Sequence, residues 1–218
     1  MPTPKSESTI FFLCDIQTKF RPTIHGFDQV ISTTNKLLKF AKVLGIEVVC
    51  TTQYAKALGP TDPTIDLEAL GSLLHGPFDK KEFSMFIPEV HAILESRPSL
   101  KSVVIFGIEA HVCVTQTALS ILTMPRQEPF NVYIVADGVS SANSFEVPIA
   151  LAHLRQEGAW VTTSESLGFQ LIGSAAHPQF KAFSQLIKDY KGATTEAGEV
   201  ILQGKSVSTI GQLKNLKL

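Results

Sequence analysis

Cysteine is scarce here. Cys14, Cys50 and Cys113 are the only three in 218 residues. They are too few and too scattered for a disulfide framework or a cysteine-built zinc site. Cys14 and Cys50 lie in apolar runs that read as buried strands, which suits a reducing compartment, so a cytoplasmic location is expected. Charge of one sign is also lacking: 19 Lys+Arg against 20 Asp+Glu leave a net charge of −1. That balance argues against a strongly basic nucleic-acid binder and offers no attraction to an anionic membrane surface, so neither partner is expected. No apolar run approaches the ~18 residues of a membrane span. Met1 to Ser8 is polar, carries Pro2 and Pro4, and has no hydrophobic core of a signal peptide.

What is present is the balance of a globular protein, with 44% hydrophobic and 18% charged residues. The length suits one α/β domain with a tail. Short apolar runs alternate with longer amphipathic stretches. Strands are predicted at Thr9–Asp15, Ile46–Thr51, Gly76–Lys80, Ser102–Gly107, Asn131–Ala136 and Ala159–Thr162. Helices are predicted over Phe27–Leu44, closed by Gly45, over Pro88–Glu95, Val112–Leu122 and Ser144–Gln156, and from near Ser164 and Pro178. Continuous apolar strands separated by amphipathic helices mean βαβ units, and right-handed crossovers then give a doubly wound parallel sheet. Residues 1–8 read as an arm, 9–191 as the domain and 192–218 as a tail that packs on the surface or on a second subunit. The terminal Leu216-Lys217-Leu218 faintly resembles a peroxisomal Ser-Lys-Leu address, but reads as an ordinary basic tail.

In an open parallel sheet, ligands bind beyond the carboxyl ends of the strands. Asp15 closes the first strand, Gln53 and Tyr54 follow the second, and Lys80 and Lys81 close the third. Cys113 begins the helix after Gly107, and Asp137 closes the fifth strand. Alone, such residues are a turn former, a solvated amine and a small buried hydrophobe. Together on one rim they make a site. Only a thiolate is a good nucleophile, and a helix N-terminus and a nearby ammonium both stabilise it. Asp15 is placed to move the proton, and backbone N–H groups from Glu109 to Cys113 to hold an oxyanion. Side chains alternate across a pleated strand, so in a regular strand Cys14 cannot share a site with Asp15, and only one of Lys80 and Lys81 can reach Cys113. Cys50 reads as core. His111 lies two residues from Cys113, off its helical face, and reads as pocket lining or structure. Glu109 reads as placed by the turn, and Asp137 as fixing a loop. Phe20, Gln53 and Tyr54 are candidate substrate-pocket residues.

These residues resemble the isochorismatase-like cysteine hydrolases. The family pattern has an Asp after the first strand, a Lys four residues before a Ser-small-Phe element, and a Gly-x-x-x-x-x-Cys-Val-x-x-Thr-Ala turn. Here they are Asp15, then Lys80 with Ser84-Met85-Phe86, then Gly107 through Cys113-Val114-Thr115-Gln116-Thr117-Ala118. Phe12-Leu13-Cys14-Asp15-Ile16-Gln17 and Thr52-Gln53-Tyr54 narrow the likeness to the eukaryotic isochorismatase-domain branch. The likeness runs over roughly residues 8 to 190. It implies a three-layer α/β/α fold with a six-stranded parallel sheet in order 3-2-1-4-5-6. It implies an Asp15-Lys80-Cys113 triad, choosing Lys80 over Lys81, and a cis peptide between Ile108 and Glu109 that turns N–H groups toward substrate. It also implies a homo-oligomer, a dimer or tetramer.

Two departures matter. Nicotinamidases of this superfamily bind a metal through an Asp-x-His after the second strand. Here that stretch reads Gln53-Tyr54-Ala55-Lys56, so no metal and no cofactor is expected. Asn143 to Val147 lacks the Asp-Arg pair often seen in relatives. The reading is then a hydrolase of a small molecule, with Cys113 attacking a carbonyl or amide carbon. The alternatives are vinyl-ether hydrolysis of isochorismate to a dihydroxybenzoate and pyruvate, and a catalytically idle binding or scaffold protein.

Overall fold

The structure, a computed structural model, describes residues 3–205. Six strands form one parallel sheet: β1 (Thr9–Cys14), β2 (Glu47–Gln53), β3 (Leu74–Lys80), β4 (Ser102–Ile108), β5 (Asn131–Ser140) and β6 (Trp160–Thr162). Their order is β3-β2-β1-β4-β5-β6, as the family likeness implied. The helices are α1 (Phe27–Leu44), the single turn α2 (Ala55–Leu58), α3 (Pro88–Glu95), α4 (Thr115–Leu122), α5 (Glu146–Gln156), α6 (Ser164–Ile172), α7 (Phe180–Asp189) and α8 (Lys191–Ala197). None of the described helices is long and apolar enough to cross a membrane.

β1 and β4 lie at the centre and are buried along their whole lengths, which is why both read as continuous apolar runs. Phe11 and Phe106 meet edge to face across them, ring centres 5.8 Å apart. α1 ends at Gly45, whose left-handed φ of 70° lets its N–H reach the Ala41 carbonyl. It packs against α6, α7 and α8, while α4 packs against α5, so helices flank the sheet.

Several strand and helix ends shift by one or two residues from the sequence reading, and three differences bear on how the chain packs. β5 runs on to Ser140, because the chain bulges near Asp137 and re-enters the ladder with Val139 beside Gly107. The helix predicted from Val112 begins as a wide π turn, Ala110–Val114, before α4. Past residue 191, α8 and the π turn Gly198–Leu202 still pack on this chain, with Ala197, Val200 and Ile201 buried. Lys36 Nζ donates to Thr194 Oγ1 at 2.7 Å, Gln29 Nε2 to Glu196 Oε1 at 2.9 Å, and His25 Nε2 to the Val200 carbonyl at 2.9 Å. Leu216-Lys217-Leu218 lies outside the described residues.

Gly107 is the tightest point. Its φ is 121°, and a Cβ there would lie 2.1 Å from the Cys14 carbonyl oxygen. Gly158 also has a positive φ, 99°, but nothing lies within 4 Å of a Cβ there. Gly107→Ala is therefore expected to cost more than about 3 kcal/mol, and Gly158→Ala about 1 kcal/mol. Urea denaturation checks this, and equal losses would refute the close approach.

Lys36 supplies a pH signature. Burial pushes its ammonium below the usual lysine range, against the nearby Asp137 and Glu165 carboxylates. The unfolded chain then holds that proton at pH values where the folded chain has released it, so this residue makes stability rise with pH in the alkaline range. Thermal melts across that range should show the rise in wild type and lose it in Lys36→Met.

Candidate active site

The site begins where β1 stops. Asp15 has φ 51°, in the left-handed region that breaks the pleat. Its carboxylate is buried and fully engaged. Oδ1 accepts from Thr51 Oγ1 at 2.8 Å, and Oδ2 accepts from Lys80 Nζ at 2.7 Å. Lys80 ends β3 with a side chain at 0% exposure. Its ammonium also donates to Gln53 Oε1 at 2.7 Å and to the carbonyls of Glu82 and Phe83 at 3.1 and 3.0 Å. Lys81, one residue on, is exposed, with Nζ 5.8 Å from the Tyr54 ring centre. The pleat thus sends Lys80 inward and Lys81 out.

Cys14 departs from the alternation expected of a regular strand. Asp15 turns out of the strand, and the Cys14 Sγ comes 3.5 Å from Asp15 Oδ2. The Cys113 side chain is also a close neighbour of the Cys14 thiol. Burial above all, then Cys113 and Asp15, pushes the Cys14 thiol well above the ordinary thiol range, with Lys80 opposing. Cys50 is core as expected, and burial pushes its thiol up to about 12.

Cys113 sits on the π turn and is 7% exposed. The Ile108–Glu109 peptide before it is cis. Several bonds hold the turn. Thr117 Oγ1 donates to the Cys113 carbonyl at 2.6 Å and accepts from the Met85 N–H at 2.8 Å, tying the turn to the segment after Lys80. Glu109 Oε2 accepts from the Ala142 N–H at 2.7 Å, and the His111 ring Nδ1 pairs with Ser141 Oγ at 2.9 Å. Glu109 and His111 are therefore clamps on the chain after β5. Asp137 binds the start of α6, accepting from the Ser164 N–H at 2.7 Å and from its hydroxyl.

Gln53 and Tyr54, with Lys81, line an open hollow of about 350 Å3. Gln53 also braces Lys80, and Phe20 is half-buried against the core. Sequence reasoning missed Thr51 and Gln17. Gln17 is fully buried, its Oε1 accepting from the Gln53 N–H at 2.7 Å and its Nε2 donating to the Gly59 carbonyl at 2.7 Å. The signal was present: a polar residue inside one apolar strand, and an amide just past the end of another, both need buried partners.

The isochorismatase domain model matches residues 9–166. The chain belongs to the isochorismatase domain family. Isochorismatase domain-containing protein 2 of Homo sapiens is 43% identical over 182 residues, 84% of each chain. Isochorismatase domain-containing protein 1 of Salmo salar is 42% identical over 181 residues, 83% of this chain but only 61% of that protein's length. A solved structure of a Caenorhabditis elegans protein described as MAR1 ribonuclease superposes with a TM-score of 0.76 at 36% identity, over 86% of this chain and 93% of that one. Family membership thus agrees with the order of the strands.

Thr51→Val removes the donor to a buried carboxylate oxygen and is expected to cost about 1–3 kcal/mol, while Thr51→Ser stays within about 1 kcal/mol of wild type. Denaturant midpoints distinguish the two. Equal losses would mean that the hydroxyl does not hold Asp15.

Proposed function

We propose that this chain is a hydrolase of a small carbonyl or amide compound, with Cys113 as nucleophile, Asp15 as proton carrier and Lys80 as the cation that steadies both. The observation that carries the reading is the buried Asp15–Lys80 pair, 2.7 Å apart, with the Cys14 thiol 3.5 Å from Asp15 Oδ2. A charge pair this deep costs several kcal/mol of desolvation per ion before its attraction is counted, and a purely structural role has less costly apolar solutions.

In this reaction Asp15 takes the Cys113 proton and the thiolate attacks the electrophilic carbon. The developing oxyanion meets backbone N–H groups of the turn. The Val112 and Val114 N–H groups are committed to the Glu109 carbonyl at 3.1 Å each, so that task falls to the others. Asp15 returns the proton to the leaving group, and water then cleaves the thioester. Phe20, Gln53 and Tyr54 shape the substrate's approach. Gln53, where nicotinamidases carry the first metal ligand, has its amide engaged by Lys80 and by the Lys81 carbonyl at 2.8 Å, which supports chemistry without a metal or cofactor. The chain is further proposed to self-associate. Phe145 and Ile149, at the start of α5, are 60% and 61% exposed.

The test is a turnover screen of isochorismate, nicotinamide, small amides, ureides and a single-stranded RNA, with wild type and Cys113→Ala. The expected result is turnover of a carbonyl or amide compound that falls at least about 10³-fold in Cys113→Ala. Isochorismate turnover that survives the substitution would replace the thiol mechanism by vinyl-ether hydrolysis. RNA cleavage alone would move the chain to the activity for which its C. elegans relative is described. In parallel, iodoacetamide at neutral pH should alkylate Cys113 first. Cys50, its pKa near 12, presents about one thiolate in 10⁵ molecules. Cys113 reacting no faster than a peptide thiol, with no turnover, would leave only a scaffold.

A further inference from the structure

The proposed reaction uses one thiol, yet two face each other at the site. Cys14 sits at the end of β1, paired in register with Gly107 of β4. The Gly107 backbone lies against that of Cys14, and Cys113 sits on the turn that follows β4. The Cys113 side chain is among the close neighbours of the Cys14 thiol, and Asp15 Oδ2 lies 3.5 Å from Cys14 Sγ. Exposure is asymmetric: Cys113 is 7% exposed and Cys14 is sealed at 0%. Small solutes reach the first and not the second. Cys50 belongs to another environment, its Sγ 3.8 Å from Thr61 Oγ1.

We propose that Cys14 is a resolving cysteine, and that a hydroperoxide converts Cys14 and Cys113 to a reversible intramolecular disulfide that switches the site off and shields it from irreversible oxidation. The Cys113 thiolate attacks a peroxide oxygen. The O–O bond breaks, the departing oxygen leaves as the alcohol or water, and Cys113 becomes a sulfenic acid. The Cys14 sulfur then attacks the Cys113 sulfur. An S–S bond forms, the S–O bond breaks, and the hydroxyl leaves as water with the proton that Asp15 takes from Cys14. Two thiols and one hydroperoxide give one disulfide, one alcohol or water, and one further water. Burial keeps Cys14 a thiol until the sulfenic acid forms beside it, so Cys14 does not compete as nucleophile in turnover.

This inference rests on Cys113 being a reactive thiol, and the experiment separates the two claims. Native protein is treated with hydrogen peroxide, its remaining thiols are blocked, and its peptides are mapped by mass spectrometry. Wild type and Cys50→Ser should lose two hydrogens, yield a peptide linking Cys14 to Cys113, and regain iodoacetamide reactivity at Cys113 after dithiothreitol. Cys14→Ala should instead gain two oxygens at Cys113 and stay unreactive after dithiothreitol. Wild type that gains oxygens at Cys113 without a linked peptide overturns the resolving role, and this outcome needs no variant to fold. Cys113 inert to both peroxide and iodoacetamide overturns the nucleophile reading as well.

Discussion

The Asp15–Lys80 ion pair is the constraint around which this end of the molecule is arranged. Both side chains are out of water, at 1% and 0% exposure. A buried pair survives only if the remaining lone pairs and N–H groups are also satisfied. Here the satisfaction is drawn from several elements: a hydroxyl from β2 for Asp15, and for Lys80 an amide from the end of β2 and two carbonyls from the segment after β3. The two carbonyls, of Glu82 and Phe83, belong to a piece of chain that has no regular structure to hold it. The backbone after Lys80 must curl back over the ammonium, which carries Ser84 and Met85 toward α4. The pair is thus a folding constraint on three strand ends and, through them, on the site.

Cys113 is located by the far end of that chain of contacts. Thr117 receives the Met85 N–H and donates to the Cys113 carbonyl, so the Lys80 loop and the π turn share one hydroxyl. On the opposite side, Glu109 and His111 bind Ala142 and Ser141. A turn clamped from two directions keeps the geometry that catalysis by positioning requires. Glu109 Oε2 and His111 Nδ1 are both used in holding the turn, which favours a positioning part for these two side chains.

The parts that can be read from the chain are those where one local rule decides. β1, β2 and β4 are apolar runs buried on both faces, and α1 and α3 end at the residues their periodicity and caps indicate. Asp15 stands out because it follows such a run, while Lys80 ends the short third strand and Cys113 lies on the turn after β4. Local rules mislead where tertiary contacts override them. Asp137-Gly138 looks like a turn that ends β5, whereas Asp137 is paired with Ser164 and the strand resumes. Strict alternation separates Cys14 from Asp15, and a single left-handed residue cancels it. Thr51 and Gln17 are hard to single out because their importance lies in distant partners, 36 residues away for Thr51 and 36 and 42 away for Gln17. The stretch past residue 191 lacks a strong pattern because its hold on α1 comes from scattered polar contacts and a few buried apolar groups.

The three cysteines then differ by surroundings alone. Cys50 and Cys14 are both sealed, and desolvation of the anion keeps both as thiols. Yet they are not equivalent. Cys50 faces a neutral hydroxyl, while Cys14 faces a carboxylate and a second sulfur. Desolvation penalises a thiolate only while the charge persists. A sulfur that passes its proton to Asp15 as it bonds to a neighbour never has to hold an isolated charge in the core. Burial therefore silences Cys14 toward outside reagents without silencing it toward the proposed nucleophile Cys113, and the Asp15 carboxylate lies 3.5 Å from the Cys14 sulfur.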